Sequence, residues 1–290
     1  PAGVLNLVHG PGQVVGEALA RHPKVNAITF TGSNAVGRHL YQIATARGAK
    51  VQLELGGKNP VVIAEDADLA QAVEIVTSGA MRSTGQKCTA TSRVIVAEPL
   101  LKEFTEALVE RAKSITVGPG IDPATYMGPL VSEERRESVL RYIEIGKQEG
   151  AKLLTGGEPL TGPEHKHGFF VAPTVFADVE PTMRIAQEEI FGPVVGVIRA
   201  RSLDEAIEIA NGVDFGLSAS IITRDIRKAF HFIRSVEAGI VHVNSETAGA
   251  EPHVPFGGMK GSSSYSREQG RAAMEFFTQT KTVYLDLPPA

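Results

Sequence analysis

The sequence predicts an α/β fold built on a parallel sheet with crossover helices, on three observations. Short apolar strands alternate with helical segments along residues 4–55. Glycine turns stand where those strands hand over to helices, and further apolar runs recur downstream as core strands. Strand–helix alternation of this kind joins parallel neighbours. Ligands in such sheets sit beyond the carboxyl ends of the strands. The 290 residues suggest two domains at about 150 residues each, with the change of domain near Glu54.

Taken in order, Val4 to Val8 reads as a strand, followed by the turn His9-Gly10-Pro11-Gly12 and a helix over Val14 to Arg21. Ala27 to Phe30 is a second strand, Thr31-Gly32-Ser33 a turn, Ala35 to Arg47 a second helix and Lys50 to Leu55 a third strand. Asp68 to Arg82 carries Leu69, Ala72, Val73 and Val76 at helical spacing. Arg93 to Ala97 reads as a buried strand and Leu100 to Ser114 as an amphipathic helix. A Pro/Gly-rich excursion from Gly118 to Pro129 precedes a helix ending near Gly150, and residues 155–173 form a loop-rich surface excursion or hairpin. Val194 to Arg199, Ser218 to Ile222 and Ile240 to Asn244 are further core strands. Thr282 to Leu287 is a lone terminal strand, cut off by Pro288-Pro289, that could pair with another subunit's sheet edge.

A hydrophobic content of 42% suffices for a substantial core. The net charge of −4 offers no broad basic surface, which argues against nucleic acid as a partner. No apolar run reaches the roughly 20 residues that span a bilayer, so no membrane partner is expected.

The chain has one cysteine, Cys88, in Gly85-Gln86-Lys87-Cys88-Thr89, at the end of a short uncharged helical stretch. A lone thiol forms neither an internal disulfide nor a cysteine metal cluster, and no metal site is expected. Its commonplace role is that of a small buried hydrophobe. A chemical role would be that of a nucleophile, which needs a base or a positive neighbourhood. Glu54, in Leu53-Glu54-Leu55-Gly56-Gly57-Lys58-Asn59-Pro60, is the first candidate for the base. His253 would suggest a Cys–His dyad, but no Asn or Asp partner is identifiable for it. Lys58 and Lys87 flank the two motifs and would raise local positive potential there, but a lysine beside a loop is usually only solvated. Gly10-Pro11-Gly12-Gln13-Val14-Val15-Gly16 and Phe30-Thr31-Gly32-Ser33-Asn34-Ala35-Val36-Gly37 both mark strand-to-helix turns. There the backbone can approach a phosphate and the helix N-terminus favours negative charge.

Phe30-Thr31-Gly32-Ser33, Glu54-Leu55-Gly56-Gly57-Lys58-Asn59-Pro60, Gly85-Gln86-Lys87-Cys88, Glu189-Ile190-Phe191-Gly192-Pro193-Val194 and Pro255-Phe256-Gly257-Gly258-Met259-Lys260 together resemble the aldehyde dehydrogenase superfamily in order and spacing. Glu54 and Cys88 are 34 residues apart (88 − 54), as in that family. The likeness covers essentially the whole chain. It implies a Rossmann-like cofactor-binding portion plus an α/β catalytic domain. Residues 1–53 would be the C-terminal part of a dinucleotide-binding domain, 54–256 the catalytic domain, and 257–290 a return segment with an oligomerisation strand.

The resemblance also implies the chemistry. Cys88 would attack an aldehyde, hydride would pass to NAD or NADP, and water activated by Glu54 would cleave the thioester. Glu189 would hold the nicotinamide ribose, although beside Gln187 and Glu188 it also reads as a surface charge. Phe191 would pack near the ring, Gly32 and Ser33 would face the pyrophosphate, and Val36 would line the adenine side. Gly12, Gly37 and Leu55 complete the expected cofactor-binding set. Arg82, six residues before Cys88, resembles the arginine that grips the far carboxylate of semialdehydes. Its plain alternative is an interhelical salt bridge. Cys88-Thr89-Ala90-Thr91-Ser92-Arg93 and the Ser262 to Gly270 segment resemble the branch acting on 2-oxoglutarate semialdehyde (2,5-dioxopentanoate). Members usually form dimers or tetramers, and a cytoplasmic location fits a single reduced thiol.

Two departures stand out. Ser262 to Ser266 replace a glycine-rich Lys-x-Ser-Gly-x-Gly-Arg-Glu pattern with a longer serine run. The family's upstream half, with the asparagine that completes its oxyanion hole, has no counterpart here, so the chain resembles the C-terminal portion of a member. Losing one such donor costs about a hundredfold or more in rate, so the isolated chain is expected to be weakly active or inactive. Two other readings remain: a coenzyme A-acylating relative, which generally lacks the glutamate found at Glu54, and a non-catalytic assembly or binding domain.

Overall fold

The computed structural model describes residues 1–289. A π-helical turn over Gly12–Gly16 runs into α1 (Glu17–Arg21). β1 (Ala27–Thr31), α2 (Asn34–Ala46) and β2 (Lys50–Glu54) follow, and β1 and β2 pair in parallel as a two-stranded sheet. Ser33 starts α2 by accepting the Val36 N–H with its hydroxyl, an N-cap that satisfies one of the helix's free donors.

The remainder builds a larger sheet. β3 (Asn59–Ile63), α3 (Leu69–Met81), β4 (Thr91–Ala97), α4 (Leu101–Lys113), α5 (Glu133–Gln148), β5 (Lys152–Thr155) and β6 (Thr174–Ala177) come first. They are followed by α6 (Arg184–Gln187), β7 (Val194–Ala200), α7 (Leu203–Asn211), β8 (Phe215–Gly216), β9 (Ser218–Ile222), α8 (Ile226–Ser235) and β10 (Ile240–Val243). β11 (Met259–Lys260) pairs with β8, and α9 (Gly270–Phe277) closes the ordered elements. The order β10-β9-β3-β4-β7-β6-β5 gives seven strands, all parallel except β5.

Successive residues of a strand face opposite sides, and the sheet is apolar on both. Val61, Ile63, Val94 and Val96 meet Val73 and Val76 of α3 and Phe104 and Leu108 of α4. Val62, Ile95, Ile198 and Ile221 meet Val139 and Ile143 of α5, Ile207 of α7 and Phe232 of α8. This two-faced burial is why the strands read as continuous Val/Ile runs. The excursion expected at 155–173 lies between antiparallel β5 and β6, with Pro159 bridging Val171.

Three local expectations are corrected and one strand is added. Val4 to Val8 is an exposed irregular segment, because no neighbouring strand supplies its hydrogen bonds. Val14 to Arg21 is a π-helical turn plus a five-residue α-helix, not one continuous α-helix. β3 has no counterpart among the expected strands; its proline stands at the strand's second residue, where the ladder register shifts. Thr282 to Leu287 forms no strand, and Val283, Tyr284, Leu285 and Leu287 are exposed. Residue 290 of the expected return segment lies outside the described residues.

Candidate active site

Three loops meet where the two sheets adjoin. The segment after β2 (55–58), the segment before β4 (82–90) and the segment before β7 (188–193) all lie at the amino ends of the seven-stranded sheet. Glu54 is the last residue of β2, so the carboxyl ends of the small sheet point at the same place. The expected site residues therefore lie at the carboxyl ends of β1 and β2 but at the amino ends of the larger sheet. A cavity of about 830 Å³ around Leu101, Ala177 and Arg199 contains none of the expected site residues.

The approach to Cys88 departs from the uncharged helical stretch expected. α3 ends at Met81, Arg82 is extended, and Ser83 and Thr84 adopt left-handed φ values of 54° and 58°. Gly85 continues at φ 65°, where a Cβ would strike the Gly192 carbonyl. Two non-glycine residues in this region store strain, and neighbours hold them in place. Thr84 Oγ1 donates to the Gly128 carbonyl at 3.0 Å, and Gln86 Oε1 accepts the Val131 N–H at 3.0 Å.

Beyond the thiol, Asn59 acts as a clamp. Its Nδ2 donates to the carbonyls of Cys88 and Ala90, both at 2.8 Å, and its Oδ1 accepts the Ser218 N–H at 3.0 Å. Thr247 Oγ1 donates to the Thr89 carbonyl at 2.8 Å and lies 2.9 Å from Thr91 Oγ1. The Gly57 backbone runs so close that a Cβ there would lie 2.5 Å from the Cys88 carbonyl oxygen.

The half-buried Cys88 thiol is pushed above its ordinary range by burial and by the nearby charges of Glu189 and Glu54. The N–H groups of Thr89 and Cys88 pull the other way. Glu54 is 1% exposed. Burial pushes it up to about 8, Ser263 and Arg267 counter this, and Glu268 adds to it. Glu189 Oε1 accepts the Gly57 N–H at 3.1 Å; burial raises its pKa, while that N–H, Lys58 and Arg135 lower it. Lys58, expected to be solvated, is instead 1% exposed with Nζ unpartnered among the described residues, and it is pushed down to about 7 by burial and by Arg93.

The structure thus brings Cys88, Glu54 and Glu189 together. Phe191, at a left-handed φ of 56°, follows Glu189 with the Arg135 guanidinium 5.6 Å from its ring centre. Gly32 and Ser33 sit at the β1–α2 turn beside exposed Val36. Asn34 ties this turn to the Glu54 loop, accepting the Gly56 N–H at 3.0 Å. Gly37 and Leu55 pack on each other: a Cβ on Gly37 would meet Leu55 Cδ2 at 2.5 Å, so the bare glycine sets how close α2 lies to that loop. Gly12 opens the exposed π-helical turn, apart from this cluster. Arg82 makes no ion pair among the described residues; its guanidinium lies 5.4 Å over the Tyr126 ring, which Arg111 also approaches. Asn34 and Asn59 lie inside the quoted motifs and Ser263 in the unusual serine run, but none is assigned a role from sequence; Thr247 carries no local signal.

This architecture has close relatives. Residues 1–283 match the aldehyde dehydrogenase family model. The chain belongs to the aldehyde dehydrogenase family. It is 56% identical over 285 residues to the alpha-ketoglutaric semialdehyde dehydrogenase of Bacillus subtilis (strain 168), covering 98% of this chain and 58% of that enzyme. It is 44% identical to the 2,5-dioxopentanoate dehydrogenase of Saccharolobus solfataricus, again over 98% of this chain and 59% of the relative. Among solved aldehyde dehydrogenase folds, HpcC from Thermus thermophilus superposes with a TM-score of 0.95 at 41% identity, over 99% of this chain and 56% of that one. A Staphylococcus aureus betaine aldehyde dehydrogenase in complex with NAD+ gives 0.90 at 36% identity, over 92% and 54%. The chain therefore spans somewhat over half the length of the family members it matches.

Proposed function

We propose that this chain carries the thiol half of an NAD(P)-dependent oxidation of a short oxo-acid semialdehyde, 2-oxoglutarate semialdehyde being the first candidate. The reading rests chiefly on the convergence of Cys88, Glu54 and Glu189 around the Gly56–Gly57 turn. Cys88 loses its proton to solvent and attacks the aldehyde carbon, and the N–H groups beside the sulfur hold the developing oxyanion. The dinucleotide, when bound, supplies the hydride acceptor through which the thiohemiacetal on Cys88 becomes a thioester. Glu54 then takes a proton from water as it cleaves that thioester and releases the carboxylate. A buried carboxyl of raised pKa suits water as the second acceptor better than coenzyme A.

The cofactor cradle has support in the chain itself. Glycine at 56 leaves room that a side chain would take from Glu189 Oε2, only 2.7 Å from a Cβ built there. The capped N-terminus of α2 stands open beside it and suits a pyrophosphate. Gly32, Ser33 and Val36 would face the dinucleotide, and Glu189 the nicotinamide ribose. Arg82, exposed and without a carboxylate partner among the described residues, is our candidate grip for the substrate's far carboxylate. The names of the Bacillus and Saccharolobus relatives favour that substrate class.

We divide the chain at 53/54, with residues 54–256 catalytic and 257–290 returning to β2. Assembly as a dimer or tetramer fits β10's place at the sheet edge and the exposed apolar side chains of 283–287. A cytoplasmic setting would keep Cys88 reduced.

The test is the appearance of reduced nicotinamide, read by near-ultraviolet absorbance, with 2-oxoglutarate semialdehyde and either dinucleotide, against propanal. Signal with the oxo-acid and little with propanal supports the reading. The isolated chain is expected to turn over weakly, and near-normal turnover would contradict that expectation. Silence from a chain extended to the relatives' full length would overturn the reading.

A further inference from the structure

Glu54 is buried at the end of β2, yet only one of its two oxygens is bonded. Oε2 accepts a 2.6 Å hydrogen bond from Ser263 Oγ, while Oε1 is buried with no partner among the described residues. Ser263 Oγ itself accepts the Gly258 N–H at 2.6 Å. With an N–H occupying one lone pair, the hydroxyl proton is directed onto Glu54. The backbone fixes the same pair from both sides. Leu55 N donates to the Ser262 carbonyl at 2.7 Å, Ser264 N donates to the Leu53 carbonyl at 3.0 Å, and Leu53 N donates to Ser264 Oγ at 2.9 Å. Gly257 guards the other oxygen: at φ +150° it passes so near that a Cβ would lie 2.6 Å from Glu54 Oε1.

We propose that Ser263 is a positioning residue for Glu54, its hydroxyl pinning Oε2 so that Oε1 is the oxygen presented to the hydrolytic water. The proposal rests on the reading of Glu54 as the base. It gives a purpose to the serine run that replaces the glycine-rich pattern, since glycine at 263 has no hydroxyl to offer. The charged and titratable groups facing Glu54 are Arg267 and Glu268 of the return segment and Cys88 of the nucleophile loop. A hydroxyl donated to the ionised carboxylate favours that form, so removing it must make Glu54 harder to ionise.

The experiment titrates the Glu54 carboxyl by infrared or ¹³C NMR, assigned by difference against Glu54→Gln, with no aldehyde or dinucleotide present. Ser263→Ala is expected to raise the midpoint by about one pH unit, the worth of one hydrogen bond to a charged group. Ser263→Thr should restore the original midpoint. Ser264→Ala, which loosens the same strap without touching Glu54, should leave it in place. An unmoved midpoint in Ser263→Ala, or an equal shift in Ser264→Ala, overturns the proposal. If the alanine variant does not fold, Ser263→Cys supplies a weaker donor and must still titrate above Ser263→Thr; equal midpoints overturn the proposal. Failure of thioester hydrolysis in a separate turnover assay would sink the proposed function and leave this titration readable.

Discussion

The two sheets that meet at Glu54 are built on opposite terms. In the seven-stranded sheet β3 and β9 are buried along their whole length, and each face is covered by helices. In the two-stranded sheet no residue of β1 is fully buried, and α2 buries only Gly37, Leu40 and Ala44. Stability thus resides on the side that holds the thiol, and openness on the side that would receive a dinucleotide. A nucleophile needs a fixed, partly dry setting, whereas a ligand that comes and goes needs access.

The largest effect should come from the buried sheet. Phe176→Ala, at a position with 0% exposure, should cost about 3–5 kcal/mol in denaturant unfolding, against less than about 0.5 kcal/mol for Val36→Ala. Comparable costs would break the comparison. Next, Glu54→Gln should leave Cys88 acylation intact while thioester hydrolysis falls by about a hundredfold or more, as quenched-flow mass analysis would read. In the unchanged protein hydrolysis should rise with pH as Glu54 loses its proton around pH 8. Equal loss of both steps would remove Glu54 from its role.

Gly57→Ala should cost about 1–3 kcal/mol through overpacking against the Cys88 carbonyl and should slow iodoacetamide alkylation of the thiol. Val36→Asp should weaken dinucleotide binding about tenfold, roughly 1.4 kcal/mol, and leave alkylation untouched. Loss of alkylation there would mean that the two sides are not separable. A further effect, read through pH, concerns Lys58. Its folded pKa, about 7, lies below the ordinary lysine value of 10.5, so between those limits the unfolded chain binds more protons. Stability should therefore rise with pH through that window, and Lys58→Met should flatten the rise in pH-dependent denaturation.

The same division explains what could be read in advance. α2, α3, α4, β7 and β9 announce themselves because periodicity is local and their neighbours merely ratify it. Val4–Val8 and Thr282–Leu287 have strand-like patterns too, but a strand needs a partner, and within the described residues none lies beside them. The thiol, its carboxylate and Glu189 were legible because each sits in a compact motif. The groups that hold them were not. Asn59 clamps the Cys88 carbonyl, Ser263 grips Glu54, and Ser83 and Thr84 turn left-handed beside an otherwise ordinary helix end. Asn59 and Ser263 stand in segments the sequence singles out, but their partners are distant chain segments, so the contacts themselves leave no trace in local composition.

The bond from Thr247 to the Thr89 carbonyl reaches across 158 residues, and Ser218 answers Asn59 across 159. During synthesis, at about 5–20 residues per second, α3 and the Cys88 loop leave the ribosome long before either partner exists. The thiol's surroundings are therefore among the last features to mature, well after the helices that flank it. A nascent chain arrested before residue 218 should present Cys88 as an ordinary, freely labelled cysteine, and protection should begin only once the 218 and 247 segments have emerged.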